Sequence, residues 1–379
     1  MNFSYWEKST FLSNIDVAII GGGIVGLNAA IRLKSQQKNL KVVIIEKEFL
    51  PFGASTRNAG FACFGSISEL IADLKITSEK EVFDLVEKRW KGLQKLRKLI
   101  GDSRLQYQNF GGFELFQSED EDLFNICSQQ IEYFNHQIKN ITGESKTYEI
   151  CDNPIELLGF QQVQHVIKNN CEGQIHTGAM MQALQEIAQN LGVIFWNGLD
   201  ILEIKENQNS VELITAEGFL IQCKKLIVST NGFTKKLLPD LNIQPARNQV
   251  LVTHPIQNVK VKGTFHYDEG FIYFRNIDDR ILIGGARNKD LLNEQTPEFG
   301  LTDNIKSHLI QFLKTIVLPN QPFEIEHEWS GIMGLGPTKK PIVQQHSNGI
   351  FLAVRLGGMG VAIGSLVGEE VADLVLQSL

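Results

Sequence analysis

The chain has 379 residues, 43% of them hydrophobic and 21% charged, proportions of an ordinary soluble globular protein long enough for two domains. A net charge of −7 argues against a nucleic-acid surface, and no apolar run is long and charge-free enough to span a bilayer. Five cysteines without CxxC spacing, and no basic-then-apolar leader at the N-terminus, fit a reducing, cytoplasmic setting.

Met1–Asn14 carries Tyr5 and Trp6, aromatics expected to pack a short N-terminal segment onto the first domain. The apolar run Val17–Ile20 then reads as a parallel strand buried on both faces. The turn Gly21-x-Gly23-x-x-Gly26 follows at once, and Ile24, Leu27, Ala30 and Ile31 recur at helical spacing. Gly21 permits the tight turn, Gly23 lets a pyrophosphate approach the backbone, and Gly26 allows close helix–strand packing. Ile24 and Val25 open the helix, whose free N–H groups and positive dipole end suit that phosphate. The strand Lys41–Glu46 completes a β–α–β unit. Glu46 falls about 20 residues past the last glycine, where a carboxylate accepts both ribose hydroxyls and repels a 2′-phosphate.

Pro51–Gly65 is small, polar and glycine-punctuated, suited to running close beneath a bulky planar ligand. A long amphipathic helix is expected over Ser78–Ile100, then a strand at Gly112–Phe116 and a helix from Asp120 to about Asn140. Gln161–Ile167 reads as a strand and Gly178–Leu191 as a helix. The meander Val193–Ile204, Ser210–Ala216, Gly218–Gln222 and Leu226–Ser229 leads into the turn Thr230-Asn231-Gly232. From Gln244 to Glu328 short alternating strands (Asn248–His254, Gly270–Asn276, Arg280–Gly285) and a helix at Leu301–Val317 read as an antiparallel-sheet domain. The chain returns to glycine-rich apolar sequence at Trp329–Leu379 and ends in a helix over Gly360–Leu376.

In this order the residues resemble FAD-dependent oxidoreductases of the D-amino-acid oxidase, glycine oxidase and sarcosine oxidase superfamily. The resemblance rests on Gly21–Gly26 with Glu46, on Ser55-Thr-Arg-Asn-Ala-Gly60 and on Ile227-Val-Ser-Thr-Asn-Gly232. It continues through Tyr273-Phe-Arg275 with Arg280–Gly285, Trp329-Ser-Gly331 and Arg355-Leu-Gly-Gly-Met-Gly-Val361. It implies an α/β fold of two domains (α+β overall): a Rossmann-like FAD-binding domain from 1–75, 152–232 and 329–379, and a mainly antiparallel-sheet substrate domain from 76–151 and 233–328. FAD contacts are expected at Gly21, Gly23, Ile24, Val25, Gly26, Glu46 and Lys47, and at Ser55, Thr56, Arg57, Asn58, Ala59 and Gly60. Further contacts are expected at Ile201, Thr230, Asn231, Gly232 and Met333, and at Arg355, Gly357, Gly358, Met359, Gly360 and Val361. The helix from Gly360 would turn its dipole toward the flavin N1–O2 edge. The FAD is expected to be noncovalent, since the last cysteine is Cys223.

The implied reaction is hydride transfer from the α-carbon of an amine or amino acid to flavin N5, followed by hydrolysis of the imine. The Ser-x-Arg-Asn-x-Gly variant resembles members acting on amines and polyamine conjugates. Three departures count against a simple α-amino acid and against oxygen as acceptor. Ile332-Met333-Gly334 stands where an arginine grips carboxylate in glycine-oxidase-like members. Val361 and Ala362 replace a carboxylate-binding lysine, and Arg280–Gly284 lacks the oxygen-activating lysine. The candidate substrate anchors are Arg57, Tyr273, Arg275 and Arg287. Arg57 reads equally as an anion anchor or as a partner of a backbone carbonyl, and Tyr273 and Arg275 share one face of their strand. Lys339 and Lys340 read as a solvated turn or a flavin contact, and Cys63 as a packing residue. The eight histidines show no metal spacing, so no metal is expected. One alternative is an FAD-dependent dehydrogenase of a 2-hydroxy acid or polyol phosphate, which would need a positioned histidine base. A non-flavin alternative is an RNA-modifying or scaffold role. A small-molecule substrate is expected, with neither nucleic acid nor membrane as partner and no subunit number readable.

Overall fold

Val17, Ala18 and Ile19 are wholly buried in the strand Ile15–Ile20, which pairs in parallel with Val42–Glu46 on one side and Leu220–Val228 on the other. The computed structural model describes residues 2–151 and 159–379. The first of its two large sheets runs in the order Ile342–Gln345, Ile350–Val354, Leu220–Val228, Ile15–Ile20, Val42–Glu46 and Ile194–Asn197. Ile20 stands level with Ile45 and with Val228, so three strands end together beneath the glycine turn. Ligands of open parallel sheets sit at such carboxyl ends.

The helices Ile24–Gln36, Glu79–Ile100 and Gly360–Ser378 cover one face of this sheet through Leu27, Leu33, Leu93, Leu96, Val367 and Val371. Burial of each such side chain stabilises the fold by about 1.5–3 kcal/mol. The first and last helices approach so closely that a Cβ at Gly368 would stand 2.6 Å from the Val25 carbonyl oxygen. Ser78 caps the long helix by accepting from the Glu81 N–H, so the expected Ser78 start is the cap itself.

The second sheet runs in the order Ile325–Leu335, Gln244–Thr253, Arg280–Gly285, Ile272–Ile277, Thr264–Tyr267, Gly112–Gln117, Val163–Asn169 and Tyr148–Ile150. Alternation sorts its side chains. Leu251, Phe265, Phe274 and Ile283 face the helix Asp303–Phe312 in an apolar core. Cross-strand register places Gly331 opposite Asn248, Val250 opposite Gly284, and Gly284 opposite Tyr273. Tyr273 is in turn opposite His266, and His266 opposite Glu114, so these residues share the other face.

Several elements differ from the sequence reading. Tyr5 and Trp6 are exposed at 74% and 73%, stacking edge-on to each other, and it is Phe3 that meets Phe219. Pro51–Gly65 contains a short helix, Ala54–Arg57, and the strand Phe61–Ala62, which pairs with Gly173–Gln174. Gly218–Gln222 and Leu226–Ser229 merge into the single strand Leu220–Val228 because Val211–Thr215 and Ile15–Ile20 pair with successive halves of it. The helix expected over Leu301–Val317 is α-helical over Asp303–Phe312 and widens to a π-turn at Leu313–Val317. Two strands that fall wholly or partly in the segments expected to build the FAD domain, Val163–Asn169 within 152–232 and Ile325–Leu335 across 328/329, lie in the second sheet. Val163 and Val166 are buried in that sheet's apolar core, and ten residues from Gln244 to Thr253 zip along Ile325–Leu335. The boundary placed at 151/152 adjoins 152–158, outside the described residues.

Candidate active site

The glycine turn forms a cradle at the end of the central strands. Gly21 has φ +110°, a left-handed conformation that a side chain would strain, and a Cβ on Gly26 would run into the Gly21 carbonyl oxygen. Glu46 closes the cradle: its Oε2 accepts from the Gly22 N–H at 2.8 Å. Burial pushes the Glu46 carboxyl up from its ordinary pKa, opposed by the N–H groups of Gly22, Glu48 and Lys47. Ser55 reaches across, accepting from the Ile24 N–H at 2.9 Å, while Ile24 and Val25 are buried at the helix start. Lys47 turns its ammonium to Asp200, and the Ile201 side chain is buried in the apolar layer beneath the sheet.

The segment after Ser55 is held by its own side chains. Thr56 donates to the Pro51 carbonyl, and Asn58 donates to the carbonyls of Ala54 and Ser55 while its Oδ1 accepts from the Gly60 N–H. Ala59 packs with Val250, Val252 and Leu282 of the second sheet. Thr230 hydrogen-bonds Thr234, and the Asn231 Oδ1 accepts from the N–H groups of Arg355 and Leu356. Gly232 lies against Met333, and the Met333 sulfur is 3.3 Å from where a Gly358 Cβ would stand. Arg355 donates to the carbonyls of Lys340 and Asn242, and Gly357 and Gly358 both have positive φ just before the helix that Gly360 and Val361 begin after Met359. Two helix N-termini, a carboxylate and three glycine-lined turns thus converge, a donor set and a clearance that fit a dinucleotide's pyrophosphate, ribose and ring system.

Tyr273 and Arg275 share the face of the second sheet that meets Gly60 and Phe61, as alternation predicts. The Tyr273 ring lies over Gly284 and edge-on to Phe61 at 5.5 Å. The Arg275 guanidinium is buried and donates to the carbonyls of Ile175 at 3.0 Å and Gly60 at 3.3 Å, and burial lowers its pKa to about 10. Arg57 donates to the Ser330 carbonyl at 2.8 Å and stacks on Phe52 and Phe299. Arg287 lies over the Phe271 ring at 5.2 Å. Lys339 pairs with Glu69 at 2.7 Å and Asp73 at 2.8 Å, so its ammonium is held by carboxylates.

Sequence reasoning missed Asn248 and the pair His266–Glu172. Asn248 donates to the Met333 sulfur at 3.5 Å, and its Oδ1 is buried without a partner. A polar residue at the start of the apolar run Val250–Val252 was the available signal. Glu172 accepts from the N–H groups of Phe64 and Gly65, and its other oxygen is 3.4 Å from the His266 Nε2. Burial would lower the His266 pKa, but Glu172, with Glu114 and Glu69 behind it, outweighs burial and raises it. Cys63, Glu172 and His266 place donor atoms within 4.8 Å of one another. Glu172 is already committed to two N–H groups and faces the His266 ring, and burial first, with Glu172 adding to it, keeps Cys63 a thiol.

A parallel-sheet dinucleotide cradle apposed to a separate, mainly antiparallel sheet defines a two-part, dinucleotide-dependent oxidoreductase. The family model described as DAO, FAD dependent oxidoreductase, matches residues 16–374, and the chain belongs to that family. Its cofactor is therefore FAD. The chain is 24% identical to "Probable oxidoreductase OrdL" of Rhizobium meliloti, over 95% of this chain and 83% of that protein. It is 23% identical to a D-amino acid dehydrogenase of Helicobacter pylori, over 95% of this chain and 94% of that one. The solved structure of a glycine oxidase from Bacillus cereus superposes with a TM-score of 0.76 at 19% identity, covering 97% of this chain and 96% of its own.

Proposed function

We propose that this enzyme oxidises the C–N bond of an amine or amino acid, using noncovalently held FAD. Relatives named as a D-amino acid dehydrogenase and a glycine oxidase support that reading. When bound, FAD supplies a hydride acceptor for the carbon next to nitrogen. Gly21–Gly26, Glu46, Ser55–Gly60, Asn231 and Gly357–Val361 would hold it, with the remaining expected contacts around them.

One observation carries the choice of chemistry. The half of the second sheet's face formed by Trp329, Gly331, Asn248, Val250, Gly284 and Tyr273 bears no carboxylate or histidine. A neutral amine needs its C–H bond oriented but no strong base, whereas an alcohol needs its proton removed. Of the histidines on that face, His266 sits behind Phe61, ring centroids 5.3 Å apart, and is engaged by Glu172, while His327, opposite Val252, is exposed to solvent beside Glu326. Asn248 and Tyr273 would orient the amine, and Phe61 and Trp329 would exclude water around it. Five cysteines, none spaced as CxxC, support a cytoplasmic setting.

The purified holoenzyme, followed anaerobically, should lose its flavin absorbance on adding an amine or amino acid. Recovery on admitting air would identify an oxidase, and no recovery a dehydrogenase with another acceptor. Bleaching by hydroxy acids alone would overturn the C–N assignment.

A further inference from the structure

The ten arginines of this acidic chain fall into two groups. Arg32, Arg89, Arg97, Arg104, Arg247 and Arg280 each hold a carboxylate. The other four, Arg57, Arg275, Arg287 and Arg355, have no carboxylate within ion-pair distance among the described residues, and all four lie in segments bordering the cofactor cradle or the sheet facing it. Arg275 and Arg355 are spent on backbone carbonyls. Arg57 gives one hydrogen bond, to Ser330, and Arg287 gives none to the described residues.

Both remaining guanidiniums are oriented by aromatic rings. Arg57 stands 3.6 Å from the Phe52 ring centre and 4.7 Å from that of Phe299, which fixes its plane and leaves N–H edges open. Register relates their segments: Ser330, whose carbonyl Arg57 holds, is level with Gln249, and Gln249 with Gly285, two residues before Arg287. The backbones at Ser330 and Gly285 are therefore about two strand spacings, or 10 Å, apart, a gap that two arginine side chains can close on one carboxylate. Arg57 does not face the pyrophosphate cradle. Ser55 caps the first helix from the same four-residue turn, and two residues further on is about 200° around it.

The reacting centre has the opposite character. Asn248, Tyr273, Met333, Gly331 and Trp329 offer no cation, and the Asn248 Oδ1, without a partner among the described residues, can accept from an N–H. Arg57 borders this floor by its backbone, its carbonyl accepting from the Trp329 indole N–H and its Cβ standing 3.4 Å from where a Gly331 Cβ would be. Its guanidinium reaches on to the Ser330 carbonyl and the Phe52 and Phe299 rings. Resting on the amine-oxidation reading, we infer that the substrate is an amine whose carboxylate lies at the far end of its chain, bound by Arg57 and Arg287, with Asn248 accepting from the reacting nitrogen. An α-carboxylate on the reacting carbon would find no cation there.

The test uses the holoenzyme with γ-aminobutyrate and ε-aminocaproate, their methyl esters, butylamine and alanine as reductants. The free acids should exceed their esters by about tenfold in kcat/KM, mainly through KM, the expected effect of a charge-assisted contact. In Arg57→Gln and in Arg287→Gln the acid-to-ester ratio should fall toward one, whereas a purely structural loss would lower acid and ester alike. Equal use of acid and ester by the wild type, an unchanged ratio in both variants, or a preference for alanine would overturn the inference and leave amine oxidation standing. Bleaching by none of these amines, with hydroxy acids active, would overturn both. Pentanoate, which cannot be oxidised, should perturb the flavin spectrum of the wild type and bind several-fold more weakly to Arg57→Gln. No binding to the wild type would overturn the inference without any turnover.

Discussion

At the scale of single residues, the site depends on polar atoms placed where an apolar residue would pack more simply. Asn248 keeps an unpartnered oxygen beside Met333 and opposite Gly331. Replacing it by alanine should lower kcat/KM for an amine about tenfold, the loss of one neutral hydrogen bond and its orientation, with flavin content unchanged. Steady-state kinetics with a flavin absorbance measurement separates that from loss of cofactor. His266 makes the opposite case, a buried imidazole whose protonated form Glu172 favours. Its pKa in the fold is raised above the ordinary 6.5, so the Glu172 pair contributes fully below that value and fades as pH rises through the raised one. His266→Ala should cost about 3 kcal/mol at pH 6, and the difference from wild type should shrink toward pH 9. Thermal melting of both proteins across that range checks the sign, and a constant or growing difference would contradict it.

At the scale of elements, close approach decides what the cradle tolerates. A Cβ on Gly26 meets the Gly21 carbonyl oxygen on a strand–turn–helix that cannot shift without disturbing the central sheet. Gly26→Ala should cost about 3 kcal/mol and yield protein without bound flavin, visible as loss of yellow colour and a lower melting temperature. This element was legible because its signals are local: an apolar strand, three glycines at fixed offsets, and Glu46 at the end of the next strand. Tyr273 and Arg275 were assigned to one face for the same reason, since alternation is a property of neighbours in sequence. Asn248, Glu172 and His266 were not legible as site residues, because their meaning comes from register between strands far apart in the chain. The strands Thr264–Tyr267 and Ile325–Leu335 went unread for a related reason. Lone polar residues such as His266 and Glu328 break their apolar pattern, yet each faces a cross-strand partner. Arg57 was left between two roles by its sequence, and it uses both chemistries in part: one bond to a carbonyl, and a stacked guanidinium with open edges.

At the scale of the whole molecule, the two sheets meet through the segment that follows the cofactor cradle. Arg275, from the second sheet, donates to the carbonyls of Gly60 and Ile175, and no carboxylate of the described residues pairs with it there. A pKa lowered only to about 10 keeps it charged at any physiological pH, so this tie does not switch with acidity. Because Ser55, Asn58 and Gly60 lie on one continuous stretch, a bond that fixes Gly60 also fixes the groups that reach the first helix. Cofactor binding and the seam between the sheets are then linked equilibria: whatever loosens the seam makes FAD order the stretch itself. Saturating FAD at about a hundred times its Kd should raise stability by about 2.7 kcal/mol in the wild type. In Arg275→Met, FAD affinity should fall about tenfold, so the same FAD concentration should raise the melting temperature by less than it does in the wild type. Titration of the apoprotein by quenching of FAD fluorescence, alongside melting with and without FAD, measures both quantities. An unchanged Kd in Arg275→Met would mean that the stretch from Ser55 to Gly60 is set by its own side-chain bonds, and that the second sheet contributes to substrate binding alone.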